Sequence, residues 1–340
     1  MTKRDIGTKY LHTHIVQKML HNIEAARSFG DLHHGDYDAV SVHEVDGRPV
    51  VDSFLVQKVI DLVSLEGPRT SLSAYQDFVS IGDEDQDDDV SNVGVWHLIS
   101  HINHSCISNT NDSLIGDMRI VRATRDLEKG SELFMSYQAS FDVDSYEEMQ
   151  ERLRPWGFTC DCALCLDRKA TPKEVLMKRD SLLQILMQLL ESQSRNMDIT
   201  YAQLKKTLQS LEQTYSATAK MSGAARPVLW ISYFTLGSEL LDIEGPSEAI
   251  EMTLKGLEAL GFVISASPPR WRPESSEPEL LINRWGVTNR PTVDAFLALH
   301  RAYKKIAPQL SVVARKYMEL AYSMVVGEKE TILDSYPDMA

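Results

Sequence analysis

Hydrophobic spacing predicts that the first hundred residues are largely helical. Residues 10–65 carry apolar side chains mainly at helical intervals, with a turn-rich interruption between Gly30 and Gly47. A further helix is predicted just before Asn103, where apolar residues recur at the i, i+3, i+4 and i+7 spacing of an amphipathic helix. These residues are Val95, Leu98, Ile99 and Ile102.

Two segments beyond this point have the pattern of short β-strands. Residues 118–123 form the first, and residues 132–137 form the second. Successive side chains of a strand point to opposite faces, so Leu133, Met135 and Tyr137 are expected to share the face that meets the core. The mixture of helices and strands in this half predicts an α+β fold.

From Ala170 onward the hydrophobic pattern is helical. Residues 230–241 and the helix that opens at Gly245 are predicted to form a helical hairpin of the tetratricopeptide kind. Two more helices are expected over residues 292–327, after a segment rich in proline and serine at 265–278. The C-terminal half is therefore expected to be an all-α array of helical hairpins.

Composition and charge narrow the possible partners. The chain has 340 residues and a formal net charge of −14. Two domains, or three small ones, are expected at this length, and the charge argues against a broad basic face for nucleic acid. The charge suits a cationic partner such as a lysine-rich protein tail, but solubility is the simpler explanation and the one that we favour. The like-charged run at 83–89 is predicted to be a loop.

The chain carries few signs of export or membrane insertion. Its first residues lack the apolar core of a signal peptide. No stretch approaches the ~18 apolar residues that a membrane span requires. Four cysteines in a chain of this size do not make a disulfide scaffold. We therefore expect no contact with a membrane, and a reducing compartment, either the nucleus or the cytoplasm.

The spacing of the cysteines indicates a single metal site. Cys160, Cys162 and Cys165 lie within six residues, and Cys106 is the only other cysteine in the chain. Four thiolates complete a tetrahedral structural Zn²⁺ site. The alternative is a set of partly buried free thiols, since cysteine also behaves as a small hydrophobe.

A second metal site is conceivable on histidines. His97, His101 and His104 follow the i, i+4, i+7 spacing that places three side chains on one face of a helix. Three imidazoles can bind a catalytic zinc. A solvated polar face is the interpretation that we favour, because the His-Glu-x-x-His arrangement of zinc hydrolases is absent.

Three motifs in order resemble the second half of a SET domain, the fold of most S-adenosylmethionine-dependent protein-lysine methyltransferases. They are Asn-His-Ser-Cys at 103–106, Gly-Ser-Glu-Leu-Phe-Met-Ser-Tyr at 130–137 and Phe-Thr-Cys-Asp-Cys-Ala-Leu-Cys at 158–165. The resemblance is strong over about 90–168 and weaker over 30–65, and it is greatest to SET–MYND proteins and to fungal SET proteins with tetratricopeptide-like helices.

The resemblance assigns roles to individual residues. It implies that Asn103 and His104 contact the cofactor S-adenosylmethionine, and that Phe158 packs over its adenine. It implies that Tyr137 is the active-site tyrosine, which contacts the cofactor beside the transferred methyl group. It also implies that one structural Zn²⁺ is bound by the four cysteines of the post-SET arrangement. These are Cys106, Cys160, Cys162 and Cys165.

The same resemblance divides the chain into four parts. They are a helical segment at 1–90 that belongs to the insert of a SET domain, the C-terminal SET core at 91–140, the zinc-bound post-SET segment at 141–168 and the tetratricopeptide-like helical domain at 169–340. The expected fold is thus a partial SET β-fold with a helical insert, followed by an all-α domain.

One feature of the family is missing from the sequence. A complete SET domain begins with strands that carry a Gly-x-Gly motif, and no Gly-x-Gly precedes Asn103. We therefore expect the N-terminal SET strands to be absent. Two functions follow: a methyltransferase acting on a lysine of a histone or another protein, or an inactive SET fragment that serves as an interaction module. In both cases a peptide or protein partner is expected for the C-terminal helices.

Overall fold

The computed structural model describes most of the chain. The described residues are 3–67, 92–115, 118–138, 145–191, 197–215, 225–226, 228–243, 245–266 and 279–339. The predicted acidic loop at 83–89 and most of the proline- and serine-rich segment lie outside these residues.

The N-terminal part is helical, as the apolar spacing predicts. Its three helices are α1 (Lys3–Leu20), α2 (Ile23–Gly30) and α3 (Ser53–Val63). The predicted interruption contains a small antiparallel hairpin of β1 (Glu44–Val45) and β2 (Arg48–Pro49). The Asp52 carboxylate caps α3 by accepting hydrogen bonds from the backbone amides of Phe54 and Leu55. One face of each helix contributes to a common apolar core.

Short strands follow in three pairs. Two pairs are antiparallel: β3 (Leu65–Gly67) with β4 (Asn92–Gly94), and β6 (Thr110–Ile115) with β7 (Met118–Ala123). The third pair, β5 (Asn103–His104) with β8 (Phe134–Met135), is parallel. The predicted strand at 118–123 is confirmed to the residue.

The predicted helix over Val95 to Ile102 is wrong. The chain leaves β4 at Gly94 and makes a single 3-10 turn, Ile99–His101, before it enters β5. Leu98, which the spacing placed on the buried face, is 84% exposed. Strand pairing on either side leaves room for only this one turn, and the tertiary constraint overrides the weak helical preference of so short a segment.

The second predicted strand is shorter than residues 132–137. Only Phe134–Met135 has strand geometry, and Leu133 is 42% exposed. The side chain of Asn109 replaces a ladder partner here, since it accepts from the Phe134 amide and donates to the Glu132 carbonyl. Of the three residues expected on the core face, Met135 is buried and Tyr137 is half-buried.

The remainder is mainly helical, which confirms the predicted α+β class. The helices are α4 (Tyr146–Leu153), α5 (Ala163–Ala170), α6 (Lys173–Glu191), α7 (Met197–Glu212), α8 (Trp230–Ile243), α9 (Pro246–Ala259), α10 (Arg290–Ile306), α11 (Pro308–Val326) and α12 (Ile332–Ser335). Consecutive helices pack in pairs, α6 with α7, α8 with α9 and α10 with α11. Both predicted helix pairs in the C-terminal half are therefore present.

An antiparallel strand pair interrupts these helices and was not predicted. It joins β9 (Val263–Ala266) to β10 (Leu280–Arg284), and so lies at the two ends of the proline- and serine-rich segment. Aromatic rings of Phe262, Trp285 and Phe296 pack together beside it. None of the described helices is long and apolar enough to cross a membrane.

The β6–β7 hairpin packs against the end of α11. The Asn111 amide donates to the Thr288 carbonyl at 3.1 Å, and the Arg122 guanidinium donates to the Gly327 carbonyl. Gly327 has a φ of +95°. A side chain at this position would collide with the hydroxyl of Ser113. These contacts tie the strands to the C-terminal helices.

Candidate active site and metal centre

The parallel β5–β8 pair brings two sequence motifs side by side. Asn103 pairs with Phe134 and His104 with Met135. The pairing continues beyond the strands, since the Ser105 amide donates to the Met135 carbonyl at 3.0 Å. Residues about thirty positions apart in the chain are thus fixed next to one another.

The side chain of Asn109 stabilises the segment that contains β8. Its side chain is 4% exposed and its amide donates to the Glu132 carbonyl at 2.9 Å. Its Oδ1 accepts from the Phe134 amide at 2.7 Å. The buried hydroxyl of Thr110 donates to the Phe134 carbonyl at 2.7 Å. Buried polar side chains that satisfy backbone groups in this way hold a loop in one conformation.

Tyr137 is held at both ends. Its backbone amide donates to Nδ1 of His104 at 3.0 Å. Its hydroxyl donates to the carbonyl of Ile102 at 2.7 Å. Burial raises the pKa of the Tyr137 phenol above its usual value, because removal from water disfavours the phenolate. Tyr137 is therefore a neutral hydrogen-bond donor at physiological pH.

Aromatic rings surround Tyr137. The ring centroids of His104 and Trp156 lie 5.2 Å and 5.5 Å from that of Tyr137. Phe158 lies 6.3 Å from Tyr137 and 5.8 Å from His104. The four residues come from three separate segments of the chain and form one aromatic cluster.

This cluster opens into a pocket of about 720 Å³. All four predicted cofactor residues line it, namely Asn103, His104, Tyr137 and Phe158. The Asn103 amide donates to the Glu132 carboxylate at 2.7 Å. The opposite wall comes from the N-terminal helical part, through residues 31–35 and 62–64. A pocket of this size suits a cofactor or small-molecule ligand.

Trp156 links the two walls, and it escaped the sequence analysis. Its indole N–H donates to the Leu62 carbonyl at 2.7 Å. Its own carbonyl accepts from the ring of His33 at 2.8 Å. Its position, just before a glycine and the cysteine cluster, was the only hint of a role in the site. Nothing in the sequence showed that this tryptophan meets residues 31–35 and 62–64.

The four cysteines converge as the spacing predicts. Their sulfurs all lie within 4.8 Å of one another. Sγ of Cys106 is 3.5 Å from that of Cys165 and 4.0 Å from that of Cys160. A tetrahedral ion with Zn–S bonds of about 2.3 Å separates its sulfurs by about 3.8 Å. The four thiols therefore fit a Zn²⁺ ion.

Gln150 of α4 fixes the cysteine loop. Its side-chain oxygen accepts from the Cys160 amide at 2.9 Å, and its nitrogen donates to the Cys160 carbonyl at 3.1 Å. The same nitrogen lies 3.6 Å from Sγ of Cys165. Cys165 lies in the first turn of α5, where the helix dipole favours a thiolate.

The proximity of the sulfurs changes their acidity. A hydrogen bond from the Cys106 thiol lowers the pKa of the Cys162 thiol to about 6. The same neighbour lowers the pKa of Cys160, whereas hydrogen bonds to the other sulfurs and burial raise that of Cys106. Thiolate is the form that binds metal. The cluster thus supplies negative charge in a buried place where a cation is needed to balance it.

The histidine alternative is contradicted. His97 caps α2, since its Nε2 lies 2.8 Å from the Ser28 carbonyl. His101 approaches His97 at 3.5 Å, but His104 is directed to Tyr137 and Cys106. Within the described part of the chain, the cysteine cluster is the only convergent group of three or more potential ligands. The helix that would have aligned the three imidazoles is missing.

Comparison with known proteins agrees with the motifs. Residues 17–138 match the SET domain family model. A methyltransferase from Gibberella zeae is 42% identical over 335 residues, which is 97% of this chain and 45% of that protein. The protein-lysine N-methyltransferase SMYD4 of Mus musculus is 27% identical over 148 residues, 39% of this chain and 18% of that protein.

A third relative matches a shorter part of the chain. The histone-lysine N-methyltransferase SMYD3 of Homo sapiens is 38% identical over 74 residues, 22% of this chain and 17% of that protein. The chain thus spans less than half the length of each of these three relatives. Over residues 17–138 the chain thus matches a SET domain, and the proteins to which it is similar include protein-lysine methyltransferases.

Proposed function

We propose that the protein transfers a methyl group from S-adenosylmethionine to the side-chain amine of a lysine in a protein. The observation that carries the proposal is the position of Tyr137. Its hydroxyl is fixed on the Ile102 carbonyl. Its ring lies in the aromatic cluster that opens into the 720 Å³ pocket.

The proposed reaction is an in-line displacement. S-adenosylmethionine, when bound, would supply an electrophilic methyl group to the lysine nitrogen, and the electron pair of the C–S bond would stay on sulfur. Such a reaction depends on alignment and on exclusion of water more than on a strong base. The aromatic walls of Tyr137, Trp156 and Phe158 exclude water. They also lower the pKa of a lysine ammonium, so that its proton leaves for solvent before attack.

Tyr137 has two tasks in this scheme. Its neutral hydroxyl and the neighbouring Ile102 carbonyl present fixed dipoles to the polarised methyl group. Its ring limits the directions from which the amine enters. Asn103, His104 and Phe158 are proposed to contact the cofactor, because all three line the same pocket as Tyr137.

The proposed metal is a single structural Zn²⁺ bound by Cys106, Cys160, Cys162 and Cys165. Four protein ligands leave no open coordination position, so the ion takes no part in methyl transfer. Its task is to hold Trp156 and Phe158, which precede the cysteines, against the β5–β8 pair. We also propose that the C-terminal helices are tetratricopeptide-like and that they bind a peptide or protein partner.

Transfer of tritium from labelled S-adenosylmethionine tests the proposal. Purified protein is incubated with histones or with a lysate, and label in protein is counted. Tyr137→Phe removes the hydroxyl donor and is expected to lower the rate by roughly 100-fold, the scale typical of one lost active-site donor. Tyr10→Phe is the matched control, because Tyr10 is 76% exposed on α1.

Two results would contradict this assignment in different ways. Full activity of Tyr137→Phe would contradict the proposed role of the tyrosine but not the proposed methyltransferase activity. No transfer by the wild-type protein, together with no binding of S-adenosylmethionine in calorimetry, would favour an interaction module. The protein band that carries the label shows whether the substrate is a histone or another protein. Nucleus and cytoplasm are the proposed locations, and fractionation distinguishes them.

A further inference from the structure

The imidazole of His104 lies between Tyr137 and the cysteine cluster. The residue is 8% exposed. Its Nδ1 is 3.0 Å from the Tyr137 amide nitrogen, and its Nε2 is 3.4 Å from Sγ of Cys106. One ring nitrogen thus contacts Tyr137, and the other contacts the cysteine cluster.

The contacts determine which nitrogen carries the hydrogen. A backbone amide can only donate, so Nδ1 of His104 accepts from Tyr137. In a neutral imidazole the other nitrogen then bears the hydrogen, and Nε2 donates to the Cys106 sulfur. A sulfur that carries negative charge is the stronger acceptor. Metal-ligand atoms are commonly oriented by such hydrogen bonds from neighbouring side chains.

We propose that His104 is a positioning residue that joins the metal centre to Tyr137 through these two hydrogen bonds. The inference rests on the proposed function of Tyr137 and on Zn²⁺ at the four cysteines. The Cys106 sulfur fixes the orientation of the ring, and the ring fixes the Tyr137 backbone. That backbone in turn sets the Tyr137 hydroxyl on the Ile102 carbonyl.

Two substitutions separate the two hydrogen bonds. His104→Asn places an amide oxygen close to the position of Nδ1, so it keeps the acceptor for Tyr137 and loses the donor to Cys106. His104→Gln places an amide nitrogen near the position of Nε2, so it keeps the donor to Cys106 and loses the acceptor. His14→Asn and His14→Gln are the matched controls, because His14 is exposed on α1.

Three measurements are made on the full chain loaded with zinc. Competition with a chelator gives the zinc affinity. Hydrogen exchange gives the protection of the Tyr137 amide. Labelled methyl transfer at saturating cofactor gives kcat. The first two do not depend on activity, so they still decide the inference if the wild-type protein transfers no methyl group.

The two variants are expected to fail in opposite ways. His104→Asn should bind zinc roughly 10- to 100-fold more weakly, with protection of the Tyr137 amide near that of wild type. His104→Gln should keep zinc affinity but lose amide protection. Its kcat should fall by roughly 10- to 100-fold, the range seen when a reacting group is slightly misplaced.

A third readout examines the wild-type protein directly. In nitrogen NMR spectra the signals that disappear in His104→Asn identify His104 among the ten histidines. Hydrogen on Nε2 and none on Nδ1 is the expected result. Hydrogen on Nδ1 would overturn the inference. So would two variants that lose zinc affinity and amide protection to the same extent, or two that match the His14 controls.

Discussion

At the scale of single residues, Trp156 does more than fill space beside Tyr137. Its indole donates to Leu62 and its carbonyl accepts from His33, so two separate turns of the N-terminal part attach to it. Its ring meanwhile contacts Tyr137 at 5.5 Å. Trp156 therefore joins the N-terminal part to the aromatic cluster of the pocket.

Tyr303 on α10 carries a buried hydroxyl that bears on stability. The residue is 1% exposed, and its hydroxyl has no hydrogen-bond partner within the described part of the chain. Burial raises the pKa of Tyr303 to about 12. Between pH 10 and 12 the unfolded chain therefore loses this proton while the folded chain keeps it, so stability falls as the pH rises.

Tyr303→Phe removes that titration. We expect the free energy of unfolding to change little or to rise by about 1 kcal/mol at pH 7, since an unsatisfied polar group is deleted. From pH 10 to 12 the variant should lose about 2 kcal/mol less stability than wild type, at 1.36 kcal/mol for each pKa unit. Urea unfolding at both pH values measures this, with Tyr10→Phe as the exposed control. Equal alkaline losses in wild type and variant would contradict the expectation.

At the scale of elements, we expect the segment from α4 to α5 to depend on the proposed metal. Its sulfurs converge with Cys106, but the segment between its two helices contains few regular hydrogen bonds. Folding of such a loop is coupled to binding of the ion. Chelation of zinc is therefore expected to release residues 156–168 and, with them, the wall of the pocket made by Trp156 and Phe158.

Hydrogen exchange tests this release. Protection of residues 156–168 should fall after chelation and after Cys162→Ser, whereas protection of α10 and α11 should persist as an internal control. Restored zinc should restore protection in the wild-type protein but not in the variant. Unchanged protection at 156–168 after complete metal removal would show that the loop folds on its own.

The docking of the β6–β7 hairpin on α11 is tested by Gly327→Ala. Gly327 has a φ of +95°, and an added Cβ would collide with Ser113. Gly130 has a φ of +91° with nothing within 4 Å of an added Cβ, so Gly130→Ala measures the backbone strain alone. Strain costs roughly 1 kcal/mol, and overpacking adds roughly 1–3 kcal/mol. Gly327→Ala should therefore lower the free energy of unfolding by more than Gly130→Ala, as measured with urea. Equal losses would mean that the hairpin moves aside.

The elements also show what sequence could predict. The helices α8 to α11 follow from local periodicity, because each buries a face whose apolar residues recur at helical spacing. The strand β7 follows from a short run of strand-forming residues, although none of its side chains is fully buried. The parallel β5–β8 pair and the β9–β10 pair depend on residues far apart in the chain. The same limit explains the failed helix before Asn103, since its ends are held by distant strands. The convergence of the four cysteines could be predicted, because binding to one metal ion restricts the spacing of its ligands.

At the scale of the whole molecule, the site is assembled from three stretches of chain. Residues 31–35 and 62–64 form one wall, Tyr137 directly follows the β5–β8 pair, and residues 156–158 close the pocket. The SET domain match begins at residue 17. From residue 17 onward, the helical N-terminal part therefore lies within the matched domain. The motifs alone related this part only weakly to the family, yet it contributes directly to the pocket.

The net charge of −14 bears on the proposed substrate. A lysine in a basic peptide approaches an acidic protein in a favourable field, and salt weakens that attraction as the screening length falls to about 3 Å at 1 M. We expect KM for a lysine peptide with basic flanks to rise several-fold between 50 and 500 mM salt, with little change in kcat. A peptide with the same lysine and uncharged flanks is the control, and its KM should stay nearly constant. If both peptides respond alike, the acidity serves solubility instead, and the choice of substrate lies in the walls of the pocket.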